Sequence, residues 1–208
     1  MTNAADSRKR GPRGSYVAGR EAQRAILDAA RDVFAEHGYR GGVLRDVADR
    51  AGVSAANIIH HFGSKEGLLV ALLEERDLGN SHELQATSSG FVAGLRDLVR
   101  RNAADRGMVH LFTTLAAEAT ASGHPAHKFF RTRYDEIRRA ATEGVVTARD
   151  QGTLPPGPPA ADVAAALLAV MDGLQTQWLL DPDFDMVAAF DAHLTAIGAP
   201  PAPESGTP

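Results

Sequence analysis

Between Leu44 and Glu66 the chain reads LRDVADRAGVSAANIIHHFGSKE, a stretch that spaces polar and cationic side chains at short intervals. Asn57 carries an amide that both donates and accepts, the pattern adenine presents in the major groove. His60 and His61 can bond bases or phosphates, more strongly when protonated. Ala55, with Ala56, offers methyl packing or close backbone approach. Arg45 and Lys65 are cations with the reach to meet phosphates, and Ser54 supplies a hydroxyl. Phosphate contacts give affinity and base contacts give sequence choice, so this set suits reading of duplex DNA.

Such side chains work only if rigid elements aim them. Leu44 to Ala51 predicts a short amphipathic helix, with Leu44, Val47, Ala48 and Ala51 at 3/4 spacing. Gly52 supplies the left-handed backbone that ends it, and Val53 is an apolar turn residue. Ser54 can cap a second helix, Ala55 to Phe62. Gly63 closes that helix, and Ser64 opens another that carries Glu66 at its positive end. Upstream, Ile26, Ala30, Val33, Phe34 and His37 mark a helix from about Gly19 to His37, ended by Gly38. The expected core of this bundle is Ile26, Phe34, Val47, Val53, Phe62 and Leu69, with Phe62 locking the second short helix in place.

The order AILDAARDVFAEHGY, LRDVADRAGVS, HHFGSKEGLL resembles the TetR-type (tetracycline-repressor-like) transcriptional regulators, over about Arg20 to Leu73. The resemblance implies a DNA-binding helix-turn-helix whose contacts fall on Arg45, Ser54, Ala55, Asn57, Ile59, His60, His61 and Lys65. It also shows departures. The family usually places Thr, then Ser or Thr, where Gly42 and Val43 stand, and Tyr where Ile59 stands. A capping and phosphate-binding hydroxyl is therefore missing before the first short helix, although Gly as a cap recovers most of the loss. Gly42→Thr with Ile59→Tyr would separate a grip lost through these departures from an operator that lies elsewhere.

Composition bounds the rest. The 208 residues include no Cys, so there is neither a disulfide framework nor a thiolate metal site, which fits a cytoplasmic chain. The longest apolar run, Val163 to Met171, is fenced by Asp162 and Asp172 and is short for a membrane span. The net charge of -4 is unevenly spread: residues 1–63 hold 10 Lys/Arg against 7 Asp/Glu, residues 64–208 hold 12 against 19. That asymmetry fits a small nucleic-acid module on an acidic body. Residues 1–17 form a polar arm with Arg8, Lys9, Arg10 and Arg13; it is either a solvated tail or an added DNA contact. Adjacent His60 and His61 point about a hundred degrees apart on a helix and do not suit one metal ion. His124 and His127 read as a turn and a surface side chain. There is no GxSxG, HExxH or phosphate loop to support an enzyme.

The remainder predicts helices throughout, hence an all-α fold of about nine helices: a disordered arm (1–17), a three-helix DNA-binding bundle (18–63), a larger helical effector-binding and dimerisation domain (64–198), and a disordered Pro-rich tail (199–208). A helix over Ala160–Leu180 is apolar nearly all round, so it must be covered on two sides. Leu167, Val170 and Leu174 on it, and Val187, Phe190, Leu194 and Ile197 on the next, are the expected homodimer seam. HPAHKFF and AVMDGLQTQWLLDPDFD resemble one C-terminal domain type carried by TetR-like regulators. The resemblance implies a small-molecule pocket lined by Phe112, Leu115, Phe129, Tyr134 and Trp178, with His110, Thr114 and Gln175 as polar fixtures. The expected partners are thus an operator, an apolar or aromatic effector and a second copy, with no cofactor, metal or membrane. The runner-up is a dimeric ligand- or protein-binding module with weakened DNA affinity.

Overall fold

The structure, a computed structural model, describes the backbone of residues 12–86 and 90–201 and the side chains of residues 19–77 and 90–201. Among the described residues there are nine helices and no strand. They fall into two compact units, Met1–Leu72 and Leu73–Pro208.

The first unit holds α1 (Pro12–Gly41), α2 (Leu44–Ala51), α3 (Ala55–Phe62) and the start of α4 (Lys65–Ala86). α1 begins at Pro12, earlier than its apolar pattern predicts; proline suits a first helical position, where its missing N–H is not needed. The backbone leaves helical geometry at Gly38, where φ is 67° and ψ 169°, so the expected stop is a kink. Arg8, Lys9, Arg10 and the side chain of Arg13 lie outside the described residues. α2 packs on α1, and α3 on α2. Ile26, Ala30, Val33, Phe34, Val47, Ile58, Leu68 and Leu69 are buried. Val53 and Phe62, expected in this core, are only half-buried, and Ile58 is the residue that pins α3. Gly52 adopts φ 67° and closes α2 through its N–H, which donates to Asp49 O. Arg50 on α2 donates both Nη groups to Glu36 on α1, at 2.9 and 3.1 Å. That hydrogen bond holds the Glu36 carboxyl below its ordinary pKa.

The second unit holds the rest of α4, then α5 (Phe91–Ala104), α6 (Arg106–Glu118), α7 (His127–Asp150), α8 (Ala160–Leu180) and α9 (Met186–Ala196). Asp105 and Asp185 cap α6 and α9 by accepting backbone N–H groups of their first turns. α7 packs along α8, α5 on α9, and α8 also meets α6 and α9. The core joins Val92, Leu95, Val99, Val145, Leu167, Met171, Phe190 and Leu194. By length and composition α8 is apolar enough to cross a membrane, which corrects the expectation that no segment is. Its flanking alanines and leucines extend the apolar stretch beyond Val163–Met171, and it packs on α6, α7 and α9 with Ala164, Leu167, Leu168 and Met171 buried.

The Pro-rich segments are pinned by arginines. Arg149 donates to the carbonyls of Pro155 and Pro158, at 3.2 and 2.8 Å, and Leu154 is buried beneath. Arg96, 5% exposed, donates Nε to Asp191 at 2.7 Å and Nη2 to the Pro200 carbonyl at 2.6 Å. The tail expected to be disordered from residue 199 is therefore anchored at its start, with Ala199 buried. Removing one partner of a buried pair leaves the other charge uncompensated, at roughly 3–5 kcal/mol. Asp191→Ala should accordingly lower the unfolding free energy by about 3 kcal/mol, and Arg96→Met by clearly less. Urea denaturation followed by circular dichroism tests this; equal losses would mean that packing, not charge, dominates.

Candidate nucleic-acid interface and effector site

α3 is fixed on one side and open on the other. Ile58 is fully buried, whereas Ser54, Ala55, Ala56, Ile59 and His60 are exposed and His61 is half-buried. Ser54 Oγ accepts the Asn57 N–H at 3.2 Å, so the expected cap is formed. The His60 and His61 rings meet edge to face at 5.5 Å. Asn57 is less available than its type implies: it is half-buried, and its Oδ1 is buried with no hydrogen-bond partner among the described residues. Its amide must rotate outward to present both ends to a base. An unsatisfied buried carbonyl costs about 1–3 kcal/mol, so that rotation relieves a penalty.

The flanking cations differ. Arg45 is 87% exposed and 4.0 Å from Asp49, which is also open to water, so it can turn to a phosphate at little cost. Lys65 is held: its Nζ lies 4.5 Å from the Tyr39 ring centroid and 6.0 Å from that of Phe34. Burial lowers its pKa from the ordinary lysine value. The Tyr39 hydroxyl donates to Glu66 at 3.1 Å, and burial, followed by the Glu66 charge, pushes its pKa up to about 12. Tyr39 is thus a side chain of this surface that the search for cations and amides passed over; its place in AEHGY, beside the Gly38 kink, was the signal.

The expected effector residues spread over the second unit. Leu115 and Phe112 are buried, and Phe129, Tyr134, Gln175 and Trp178 are half-buried. His110 and Thr114 lie on the exposed side of α6, away from the inner stripe Met108, Leu111, Phe112 and Leu115. Trp178 is held by Arg106, whose guanidinium sits 5.0 Å from its ring and donates to the Trp178 and Leu179 carbonyls. Phe112 and Tyr134 are joined by residues the sequence reading missed. Arg76 lies 4.0 Å from the Phe112 centroid, Arg133 5.5 Å from it and 5.9 Å from that of Tyr134. The Tyr134 hydroxyl donates to Asp172 at 2.6 Å, and burial raises the pKa of both groups, that of Asp172 despite the hydrogen bond. The overlooked signal was a charge in an apolar stripe: Leu69, Leu72, Leu73, Arg76 on α4 and Phe130, Arg133, Ile137 on α7 keep 3/4 spacing.

Of the expected dimer residues, Leu167, Phe190 and Leu194 are 1–2% exposed and belong to this chain's own core. They correct the expected seam; Val170, Leu174, Val187 and Ile197 stay half-buried. His124 and His127 serve the turn into α7: His124 Nδ1 accepts the Ala126 N–H, and His127 Nδ1 lies 2.8 Å from the Ala119 carbonyl.

Two short helices across a glycine turn, in a chain with a second helical unit, define a helix-turn-helix protein of the regulator class. Residues 26–72 match the family of bacterial regulatory proteins called the tetR family, and residues 88–199 match the BetI-type transcriptional repressor C-terminal domain. The chain belongs to the TetR family of transcriptional regulators, a family of regulators and not of enzymes. The HTH-type transcriptional repressor AcnR of Corynebacterium diphtheriae is 42% identical over 74 residues, 36% of this chain and 38% of that protein. The repressor KstR2 of Rhodococcus jostii is 28% identical over 132 residues, 61% of this chain and 56% of that protein. The chain thus spans well under two thirds of the curated relatives it matches. A transcriptional regulator of Rhodococcus sp. Rha1 superposes with a TM-score of 0.71 at 25% identity, over 87% of this chain and 99% of that one. One from Saccharomonospora viridis, solved in complex with choline, gives 0.72 at 25% identity, over 85% and 95%.

The departures at positions 42 and 43 separate once the geometry is known. Val43, not Gly42, is the cap residue of α2, and it makes no side-chain cap bond, so glycine recovers nothing there. Gly42 is buried, and a Cβ on it would stand 2.7 Å from Phe34 Cδ1 and 3.1 Å from Val33 Cγ1. Gly42→Thr would therefore disturb the bundle core and does not test the DNA grip alone. Val43→Ser should raise stability by about 1 kcal/mol through a new cap. Gly42→Thr should lower it by about 1–3 kcal/mol through overpacking. Thermal and urea denaturation of the two variants checks the opposite signs.

Proposed function

We propose that the chain is a ligand-responsive, sequence-specific DNA-binding regulator, a repressor that leaves its operator when a small molecule binds the second unit. The observation that carries this reading is the one-sided burial of α3. Ile58 holds the helix to its bundle while Ala55, Ala56, Ile59 and His60 face outward as a unit. The outward side chains are of the kinds that read base edges, and Ile59, 42% exposed, suits apolar contact with a thymine methyl. Arg45, Ser54 and Lys65 flank them as the phosphate contacts. Ligand binding favours the conformer with lower operator affinity, a population shift. AcnR and KstR2 are named as repressors, which supports the sign of regulation.

The regulator acts as a homodimer, because an operator read by one short helix per chain needs two copies for affinity. Ala165, Ala169 and Gly173 on α8, with Ala188 and Ala192 on α9, are exposed, and small residues let helix backbones approach closely. They join Val170, Leu174, Val187 and Ile197 as the proposed seam. The protein works in the cytoplasm, on the nucleoid.

The test is fluorescence anisotropy with labelled DNA flanking the protein's own gene, against random competitor, over a salt series. Tight binding that resists competitor supports the reading. Arg45→Ala should weaken all sequences alike and reduce the salt slope by about one. Asn57→Ala should relax choice at one position by about 1–3 kcal/mol. If Asn57→Ala leaves the ranking of operator variants intact, the amide reads no base. Dimerisation without DNA binding at low salt would favour a ligand- or protein-binding module, a reading kept alive by the uncapped Val43 and by Ile59.

A further inference from the structure

The excess positive charge of the first unit lies ahead of its packed core. Residues 1–25 hold 6 Lys/Arg and 2 Asp/Glu, whereas residues 26–72, which carry α2 and α3, hold 5 and 6. Several cations of the second set are also matched side chain by side chain. Arg31 lies 3.9 Å from Asp28 and 3.3 Å from Asp32, and Arg50 pairs with Glu36 at 2.9 Å. Lys65 rests on the Tyr39 ring, and Arg45 stands open at 4.0 Å from Asp49. The helix-turn-helix itself therefore brings no surplus charge to a duplex, which carries one negative charge per about 1.7 Å of its axis.

α1 begins at Pro12, fourteen residues before Ile26, its first buried side chain among the described residues. At the rise of an α-helix that is about 20 Å. From residue 19 to residue 25 no side chain is buried. A helix in water draws most of its stability from packing an apolar face, and this stretch packs none. It presents charge instead. Arg20 and Arg24 are exposed, lie four residues apart on one side of the helix, and have no ion pair among the described residues. The sequence continues the series toward the N-terminus with Arg13 and with Arg8, Lys9 and Arg10. Glu21, Gln23 and Ala25, the other exposed side chains of residues 19–25, include no large apolar group, so the stretch has no face to sink into a membrane.

We propose that the N-terminal half of α1, through Arg20 and Arg24, together with the basic sequence ahead of it, is a second DNA contact that holds phosphates flanking the groove α3 reads. The inference rests on the DNA-binding reading above and adds to it a separate source of affinity. Guanidinium groups bind phosphate oxygens in a planar fork. Contacts of this kind position a protein on its duplex and carry no base preference. The division of labour follows: α3 supplies sequence choice, and the start of the chain supplies the charge that residues 26–72 lack.

The experiment is fluorescence anisotropy of the full chain with a labelled duplex of mixed sequence, over a potassium chloride series. Non-specific binding is electrostatic, so no operator is needed. The double variant Arg20→Gln, Arg24→Gln should reduce the slope of log K against log salt by about two relative to the parent, near one per phosphate contact. Arg31→Gln removes a charge from the same helix, but one matched by Asp28 and Asp32, and should leave the slope unchanged. A second measurement needs no variant: trypsin cleavage of the parent after Arg20 and Arg24, followed by mass spectrometry, should slow when the duplex is added, while cleavage in the second unit keeps its rate. An unchanged slope in the double variant, an equal loss from Arg31→Gln, or cleavage unaffected by DNA would overturn the second contact and leave the DNA-binding reading standing. A parent chain that binds no duplex at low salt would overturn both.

Discussion

The first unit depends on where the Phe34 ring sits. It is 1% exposed, fills the space a side chain at position 42 would need, and meets Tyr39 edge-on at 5.8 Å. Tyr39 in turn faces Lys65 and donates to Glu66. One buried ring on α1 thereby sets the entry to α2 and, through Tyr39, the start of α4, on either side of α3. α3 contributes a single fully buried residue, Ile58. A helix held by so little can leave the rest of its surface free: its position is borrowed from its neighbours' packing.

The second unit uses arginine in two ways that burial alone does not separate. Arg96 has a carboxylate and a carbonyl as partners and ties α5 to α9 and to the segment beyond it. Its charge is matched, so its function ends with the fold. Arg76 has an amide and a ring, with a second guanidinium close by. No carboxylate hydrogen-bonds it among the described residues, although the charges of Asp77 and Asp105 favour it.

Much of this was legible in the sequence. Periodicity and glycine punctuation gave α2, Gly52, the Ser54 cap and α3, because those signals are local and each residue's role is set by its neighbours in the chain. The all-helical second unit was legible for the same reason. What stayed hidden was long-range. Pro200 is anchored by Arg96, more than a hundred residues earlier, so the tail read as frayed. Leu167, Phe190 and Leu194 read as a seam because an apolar stripe does not say whether its cover is the same chain or a second copy. Arg76 and Arg133 were passed over because charged residues on amphipathic helices are usually solvated; their phase within the apolar stripe was the information that went unused.

Positions 42 and 43 carry that lesson to its limit. They are adjacent, and a family pattern treats them as a pair of hydroxyl residues. Yet the buried Gly42 answers to Phe34 and Val33, while Val43, 47% exposed, answers to solvent and to the open N–H groups of α2. Local spacing cannot distinguish them, because both precede the helix by a residue or two. The distinction comes from α1 passing behind one and not the other. A hydroxyl at 43 costs the core nothing, whereas at 42 it must displace a ring on which Tyr39 leans. The cap of α2 and the packing of the bundle are therefore separable at one of these sites and coupled at the other.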